Sequence, residues 1–157
     1  LFSLYGDAVD PRRHHRLPPG ALLTGVTLGP PLPGERAAYV RAASRARAEW
    51  PLVEVVARLA LDGDLVRTAA ITVGGVANLP LRLSRVEQLL VGKPATPESL
   101  AAAAELAADG AKPLPATAYK LDLLRGAVLD ALERALSQEP APSPPSPPGS
   151  LAATTPT

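Results

Sequence analysis

Cysteine and methionine are both absent from the 157 residues, and aromatic side chains make up only 3% of them. Without cysteine the chain can hold no disulfide, thiolate metal site, Cys-held iron–sulfur cluster or cysteine nucleophile. That absence sits comfortably with a cytoplasmic protein, the compartment expected here. Without methionine, Leu1 is no ordinary translation start, and the chain reads as a piece of a longer polypeptide or a processed one. Scarce aromatics mean a core of Leu, Val and Ala, and they disfavour a large aromatic-lined ligand pocket. Excess charge of one sign is missing too. A formal net charge of +1 argues against a nucleic-acid partner, which needs a clustered basic face. No apolar run approaches the roughly 20 residues of a membrane span, and the start lacks a signal-peptide core.

What is present suits one domain with room for a real core. Residues 1–16 show no sustained period and read as a lead-in, with a basic cluster at Pro11-Arg12-Arg13-His14-His15-Arg16. Adjacent histidines diverge in a strand or a helix, and no third ligand stands nearby, so no metal site is expected. Leu17-Pro18-Pro19-Gly20 is turn chemistry. Leu22 to Leu28 then reads as a strand with Leu22, Thr24, Val26 and Leu28 on one face, closed by Pro30-Pro31-Leu32-Pro33-Gly34.

Ala37 to Trp50 is ambiguous: its Ala/Arg content favours helix by propensity, whereas alternation through Tyr39, Arg41 and Ala43 also fits a strand. Leu52 to Leu61 alternates clearly, with Val53, Val55, Ala57, Leu59 and Leu61 on one face and Glu54 and Arg58 on the other. Asp62-Gly63-Asp64 is a hairpin signal. The returning strand, Leu65 to Val73, divides into Leu65/Arg67/Ala69/Ile71/Val73 and Val66/Thr68/Ala70/Thr72. That strand ends at Gly74-Gly75 and feeds a proline-started helix at Pro80, whose Leu79, Leu83, Val86, Leu89 and Leu90 fall at helical spacing before Gly92 stops it. Thr96-Pro97-Glu98 starts a second helix running to Asp109-Gly110. A third begins near Thr117 with a stripe of Leu121, Leu124, Val128, Leu132 and Ala135. Sheet first and helices afterwards predict an α+β sandwich with helices on one face. The domain is expected over residues 17–138. Residues 139–157 form a proline-rich tail whose composition cannot offset chain entropy, so disorder is expected there.

Few residues offer chemistry. Gly74-Gly75 lacks the spacing of a dinucleotide fingerprint and the Lys-Ser/Thr of a Walker loop, so its glycines read as a backbone joint. Arg41, Arg45 and Arg47 are a compact basic group. On a strand they would share a face and make an anion-binding strip; on a helix Arg41 and Arg45 would pair, with Arg47 turned away. Both histidines lie in the lead-in, so there is no Ser/His/Asp set and no self-sufficient catalytic centre.

Taken together, the motifs resemble the C-terminal domain of the FAD-binding (medium) subunit of molybdenum hydroxylases, the group of carbon monoxide dehydrogenase, xanthine dehydrogenase and aldehyde oxidoreductase. Leu17-Pro18-Pro19-Gly20-Ala21-Leu22-Leu23 is similar to the leading "L-x-P-G-E-L-L" strand of that family. Tyr39-Val40-Arg41-Ala42-Ala43-Ser44-Arg45 is similar to "Y-x-K-x-x-x-R", a likeness that turns this segment into a strand. Ile71 to Pro80 matches "I-x-x-G-G-V-A-x-x-P", followed by Arg82, Glu87 and Leu90-Val91-Gly92-Lys93, and Ala118-Tyr119-Lys120 resembles "A-x-Y-R". These run in family order over about Leu17 to Leu136.

The resemblance implies a three- to four-stranded antiparallel sheet covered by three helices, and an oxidoreductase part that closes one side of a flavin site. Electrons would pass from molybdopterin through iron–sulfur clusters to FAD and an external acceptor. It also implies that Leu22 and Arg41 reach the flavin, and that the partners are an FAD-cradling domain, an iron–sulfur subunit and a molybdopterin subunit. Three positions depart from the pattern: Ala21 replaces an acid, Lys120 replaces an arginine, and Arg41 stands where the family has lysine. A cation near the flavin would stabilise negative charge developing on reduction. The alternative from a different class is a non-enzymatic α+β dimerisation or scaffold module with the proline tail as linker.

Overall fold

The computed structural model describes Leu4 and residues 15–44 and 50–142. The sheet is an antiparallel meander in the order β1-β2-β3-β4: β1 (Glu35–Ala42), β2 (Val53–Asp62), β3 (Leu65–Gly74) and β4 (Leu81–Arg82). Helices α1 (Ser84–Leu90), α2 (Pro97–Glu105) and α3 (Tyr119–Ser137) follow, with a 3₁₀ turn, Leu106–Ala108, extending α2. These three helices lie on one face of the sheet. The expected α+β architecture is therefore the observed one.

Period-2 alternation builds the interface between the layers. Val53, Val55, Ala57 and Leu59 of β2 are fully buried, as are Ile71 and Val73 of β3. α3 packs across β1 and β2, α1 packs on β3, and α2 leans on α3. The helices answer the aromatic-poor sheet with small residues. Ala103, Ala104, Ala107, Ala127, Ala131 and Ala135 are buried together with Leu100, Leu124, Val128 and Leu132, which lets the helix backbones approach closely. Each fully buried Leu or Val contributes about 1.5–3 kcal/mol relative to leaving it in water.

Start signals read from the sequence act as expected in α2. The Thr96 hydroxyl accepts from the Ser99 N–H at 3.3 Å while the Thr96 N–H donates to the Ser99 hydroxyl at 3.1 Å, a reciprocal capping box.

Three expectations change, and one ambiguity is resolved. Glu35–Ala42 is β1 and pairs with β2 throughout, the strand that the resemblance implied around Tyr39 and Arg41. Backbone pairing and a one-sided apolar surface override the helix propensity of Ala and Arg. Leu22 to Leu28 joins no strand of the sheet. Its residues are exposed, and among the described residues they have no ladder partner. The alternation of β3 breaks where Ala60 pairs with Thr68 but Leu61 pairs with Val66. Arg67 is thus the extra residue of a β-bulge, so Val66 joins the core and Leu65 and Arg67 face solvent. Finally, no helix starts at Pro80. Leu81 and Arg82 pair with Val73 and Thr72 as β4, and the helix begins only at Ser84.

The reason for this last change is Glu87, a buried residue of α1. One of its carboxylate oxygens accepts the Ile71 N–H at 2.9 Å, and both accept from Arg82 Nε, at 2.8 and 3.0 Å. The Leu83 N–H donates to the Ile71 carbonyl at 2.9 Å. A two-residue strand, a one-turn connection and a helix are thereby tied to the edge of β3. Glu87→Ala strands the buried Ile71 N–H and is expected to cost about 1–3 kcal/mol of stability, measured by urea unfolding.

A second carboxylate links β1 to β2. Arg58 donates to Glu35 through Nε at 2.8 Å and Nη2 at 2.7 Å, and the Leu32 N–H adds a bond at 2.9 Å. Arg58 is the main cause that holds the Glu35 carboxyl below the ordinary value of 4.5, against the opposing effect of burial. The folded carboxyl keeps its charge to lower pH than the unfolded one. Its contribution is therefore complete above the unfolded value and is lost as pH falls through the folded one. As pH falls from about 5, through the ordinary carboxylate value and below it, wild type should lose more unfolding free energy than Glu35→Gln, read from urea midpoints at successive pH values.

Candidate functional site

The face of the sheet away from the helices carries the polar half of each strand. Ala38, Val40 and Ala42 of β1 pack towards the core, so Ala37, Tyr39 and Arg41 point the other way. On β2 the outward set is Glu54, Val56 and Arg58; on β3 it includes Thr68, Ala70, Thr72 and Gly74. Tyr39 is 54% exposed, Val56 41%, and Trp50, just before β2, 92%. These are large apolar surfaces left in solvent around one charged strip.

One cross-strand row organises that strip. Arg41 lies opposite Glu54, and Glu54 lies opposite Gly74. Opposite charges at directly facing positions ordinarily attract, yet the Glu54 carboxylate is engaged elsewhere. It accepts the Tyr39 hydroxyl at 2.8 Å and extends over Gly74. A Cβ at position 74 would stand 2.7 Å from Glu54 Oε1 and 2.9 Å from its Cγ. The hydrogen bond to Glu54 is the main cause that raises the Tyr39 phenol above its ordinary value; burial and the Glu54 charge add to it, and Arg41 opposes it. Among the described residues no hydrogen bond or ion pair engages the Arg41 guanidinium. By contrast, Glu35 and Arg58 on the same face are fully paired.

The glycine joint adjoins this row. Gly75 has φ +75, and a Cβ there would lie 3.0 Å from the Leu52 carbonyl oxygen. Lys120, at the start of α3, donates from Nζ to the Gly75 carbonyl at 2.9 Å. One donor at one carbonyl needs no planar fork, which explains how lysine serves where the resembled motif has arginine. On the helix side of the joint lies a groove of about 560 Å³, lined among others by Val76, Leu83, Lys112, Leu114 and Lys120. No aromatic side chain lines it, in keeping with the composition.

Of the residues singled out from sequence, Arg41 sits on the open face, near the end of the edge strand β1. Leu22 is 82% exposed on the unpaired leading segment, away from any strand. Arg45, Arg47 and His14 lie outside the described residues, so the proposed arginine strip is represented by Arg41 alone. His15 is exposed, with its Nδ1 accepting the Leu17 N–H at 3.2 Å. Among the described residues no cluster of His, Asp and Glu could hold a metal ion, and no helix is long and apolar enough to cross a membrane. Sequence reasoning missed Tyr39, Glu54, Gly74 and Trp50 as members of the surface. The first three are linked only by strand register, which no single-strand period reveals. Trp50 had a signal, as the only tryptophan of an aromatic-poor chain.

A model of the CO dehydrogenase flavoprotein C-terminal domain matches residues 38–135. The chain belongs to that family. The match takes in β1 with Tyr39 and Arg41, the glycine joint and the start of α3, and leaves the Leu17–Leu23 motif outside. Solved structures similar to this flavoprotein C-terminal domain include quinoline 2-oxidoreductase from Pseudomonas putida 86, with TM-score 0.62 and 26% identity over 67% of this chain and 38% of that one. Carbon monoxide dehydrogenase from Hydrogenophaga pseudoflava, in a form lacking the Mo-pyranopterin moiety of the molybdenum cofactor, gives TM-score 0.62 and 26% identity over 66% and 37%. The cyanide-inactivated Cu,Mo-CO dehydrogenase gives TM-score 0.59 and 25% identity over 66% and 37%. The chain thus spans under two fifths of the length of the chains it matches. No curated protein matches it.

Gly75→Ala forces a side chain into the left-handed region against the Leu52 carbonyl. It is expected to cost about 1–3 kcal/mol, visible as a lowered urea midpoint, while a neutral cost would show that the joint relaxes freely.

Proposed function

We propose that this domain forms one wall of the flavin site in an FAD-binding subunit of a molybdenum hydroxylase. In that reading the whole enzyme moves electrons from molybdopterin through iron–sulfur clusters to FAD and on to an external acceptor. Its relatives would include xanthine dehydrogenases and aldehyde oxidoreductases, and it would work in the cytoplasm. An FAD-cradling domain, an iron–sulfur subunit and a molybdopterin subunit are the partners. Membership of the flavoprotein family supports the reading at its coarser level.

The observation that carries the residue roles is Arg41, unpaired among the described residues, on the sheet face opposite α1, α2 and α3. An exposed guanidinium flanked by the Tyr39 and Val56 surfaces, with Trp50 nearby, fits one side of a planar cofactor that gains negative charge. FAD, when bound, supplies the electron-accepting chemistry. Arg41 would offer it positive charge and hydrogen-bond donors, while the exposed Tyr39, Val56 and Trp50 surfaces would exclude water. Leu22 would supply an apolar contact from the leading segment, whose side chains find no packing within the described chain. The alternating Leu22, Thr24, Val26 and Leu28 suit pairing with a neighbouring sheet, so the domain boundary would fall close to Pro33 instead of before Leu17.

The test is substitution in the assembled subunit. Arg41→Ala should weaken FAD binding about tenfold or more, the scale of a lost hydrogen bond to a charged group, read as quenching of flavin fluorescence on titration. Leu22→Ala should weaken it less. Unchanged affinity in Arg41→Ala would remove Arg41 from the site.

A further inference from the structure

Arg41 and Glu54 face each other across β1 and β2, yet the acid bonds to tyrosine and the base bonds to nothing among the described residues. Two features keep them apart. The Tyr39 hydroxyl holds one Glu54 oxygen at 2.8 Å. Gly74 leaves the space into which the other oxygen extends, space that any Cβ would invade at 2.7 Å. Neither feature serves the core, since Tyr39 is mostly in solvent and Gly74 has no positive φ to require glycine. The neighbouring Glu35–Arg58 pair, diagonal across the same two strands, shows an acid and an arginine of this face joined through Nε and Nη2 of the guanidinium.

We propose that Tyr39 and Gly74 are positioning residues that sequester the Glu54 carboxylate and so keep the Arg41 guanidinium free for an anionic ligand on the open face. The local mechanism stands on strand register and hydrogen bonding; its consequence for flavin rests on the reading given under Proposed function. Removing the phenolic hydroxyl releases Glu54 to pair with Arg41. Adding a methyl group at position 74 displaces the same carboxylate from the other side. Either change converts an open cation into a neutralised one without touching Arg41 itself.

The experiment has two arms. In the chain alone, exchange of the Arg41 Nε–H with solvent is followed by ¹⁵N NMR. Wild type should exchange as an unpaired arginine does, Tyr39→Phe and Gly74→Ala should both exchange more slowly, and Tyr39→Phe with Glu54→Gln should return to the wild-type rate. In the assembled subunit, Tyr39→Phe should weaken FAD binding about two- to fivefold, the scale of one cross-strand charge pair. Glu54→Gln should rescue it, and Tyr39→Phe should add nothing in an Arg41→Ala background. Unchanged Arg41 exchange in both Tyr39→Phe and Gly74→Ala overturns the proposal. Slowed exchange with Arg41→Ala leaving FAD affinity intact upholds the sequestration and overturns the flavin-facing role.

Discussion

A buried carboxylate holds the two layers of this domain in register. Glu87 sits on a helix but completes the hydrogen bonding of a strand, satisfying the Ile71 N–H at the point where β4 is too short to reach. Burying a charge carries a desolvation penalty, offset here by Arg82 and a backbone donor together. Because the acid must meet both, the direction of α1 relative to β3 is set within narrow limits. The rest of the helical layer then follows: α1 delivers Val86 and Leu90 to the core, and the segment after Gly92 runs back beside Val66. The motif that identifies the family therefore includes a structural ion pair, not only a turn.

The open face applies the same components differently. Glu87 and Glu35 are each satisfied by an arginine, and those contacts fix corners of the fold. Glu54 is satisfied by a neutral hydroxyl, and Arg41 is left over among the described residues. Formal charge on the face is nearly balanced, so no potential map drawn from composition would single it out. What distinguishes the site is which acid bonds to which base.

Much of the architecture was legible because local and global signals agreed. The β2–β3 hairpin could be read from alternation around Asp62-Gly63-Asp64, α2 from Thr96-Pro97, and α3 from its apolar stripe. Failures fell where one residue decides between patterns. Arg67 reverses the faces at the start of β3, and nothing in its side chain announces a bulge. Leu81 and Arg82 continue a helical spacing yet pair as strand, because Glu87 and the Ile71 backbone outweigh the helical period. Leu22 to Leu28 alternates correctly but lacks a partner, and alternation alone makes no ladder. The candidate site was legible only in Arg41. Tyr39, Glu54 and Gly74 are 15 and 20 residues apart in sequence order and meet through the pairing of three strands.

The chain enters and leaves the folded body at a single corner. The Ala141 N–H donates to the Glu35 carbonyl at 2.7 Å, so the segment after α3 returns to the first residue of β1. Arg41 stands six residues along that strand, about 20 Å away at 3.3 Å per residue. The tethered corner and the Arg41 guanidinium are thus at opposite ends of one strand. A small rotation about the tethered corner would sweep the cation through a long arc while leaving every internal contact unchanged. Alignment of the far end must accordingly come from whatever surface it rests on, and the domain itself supplies stiffness.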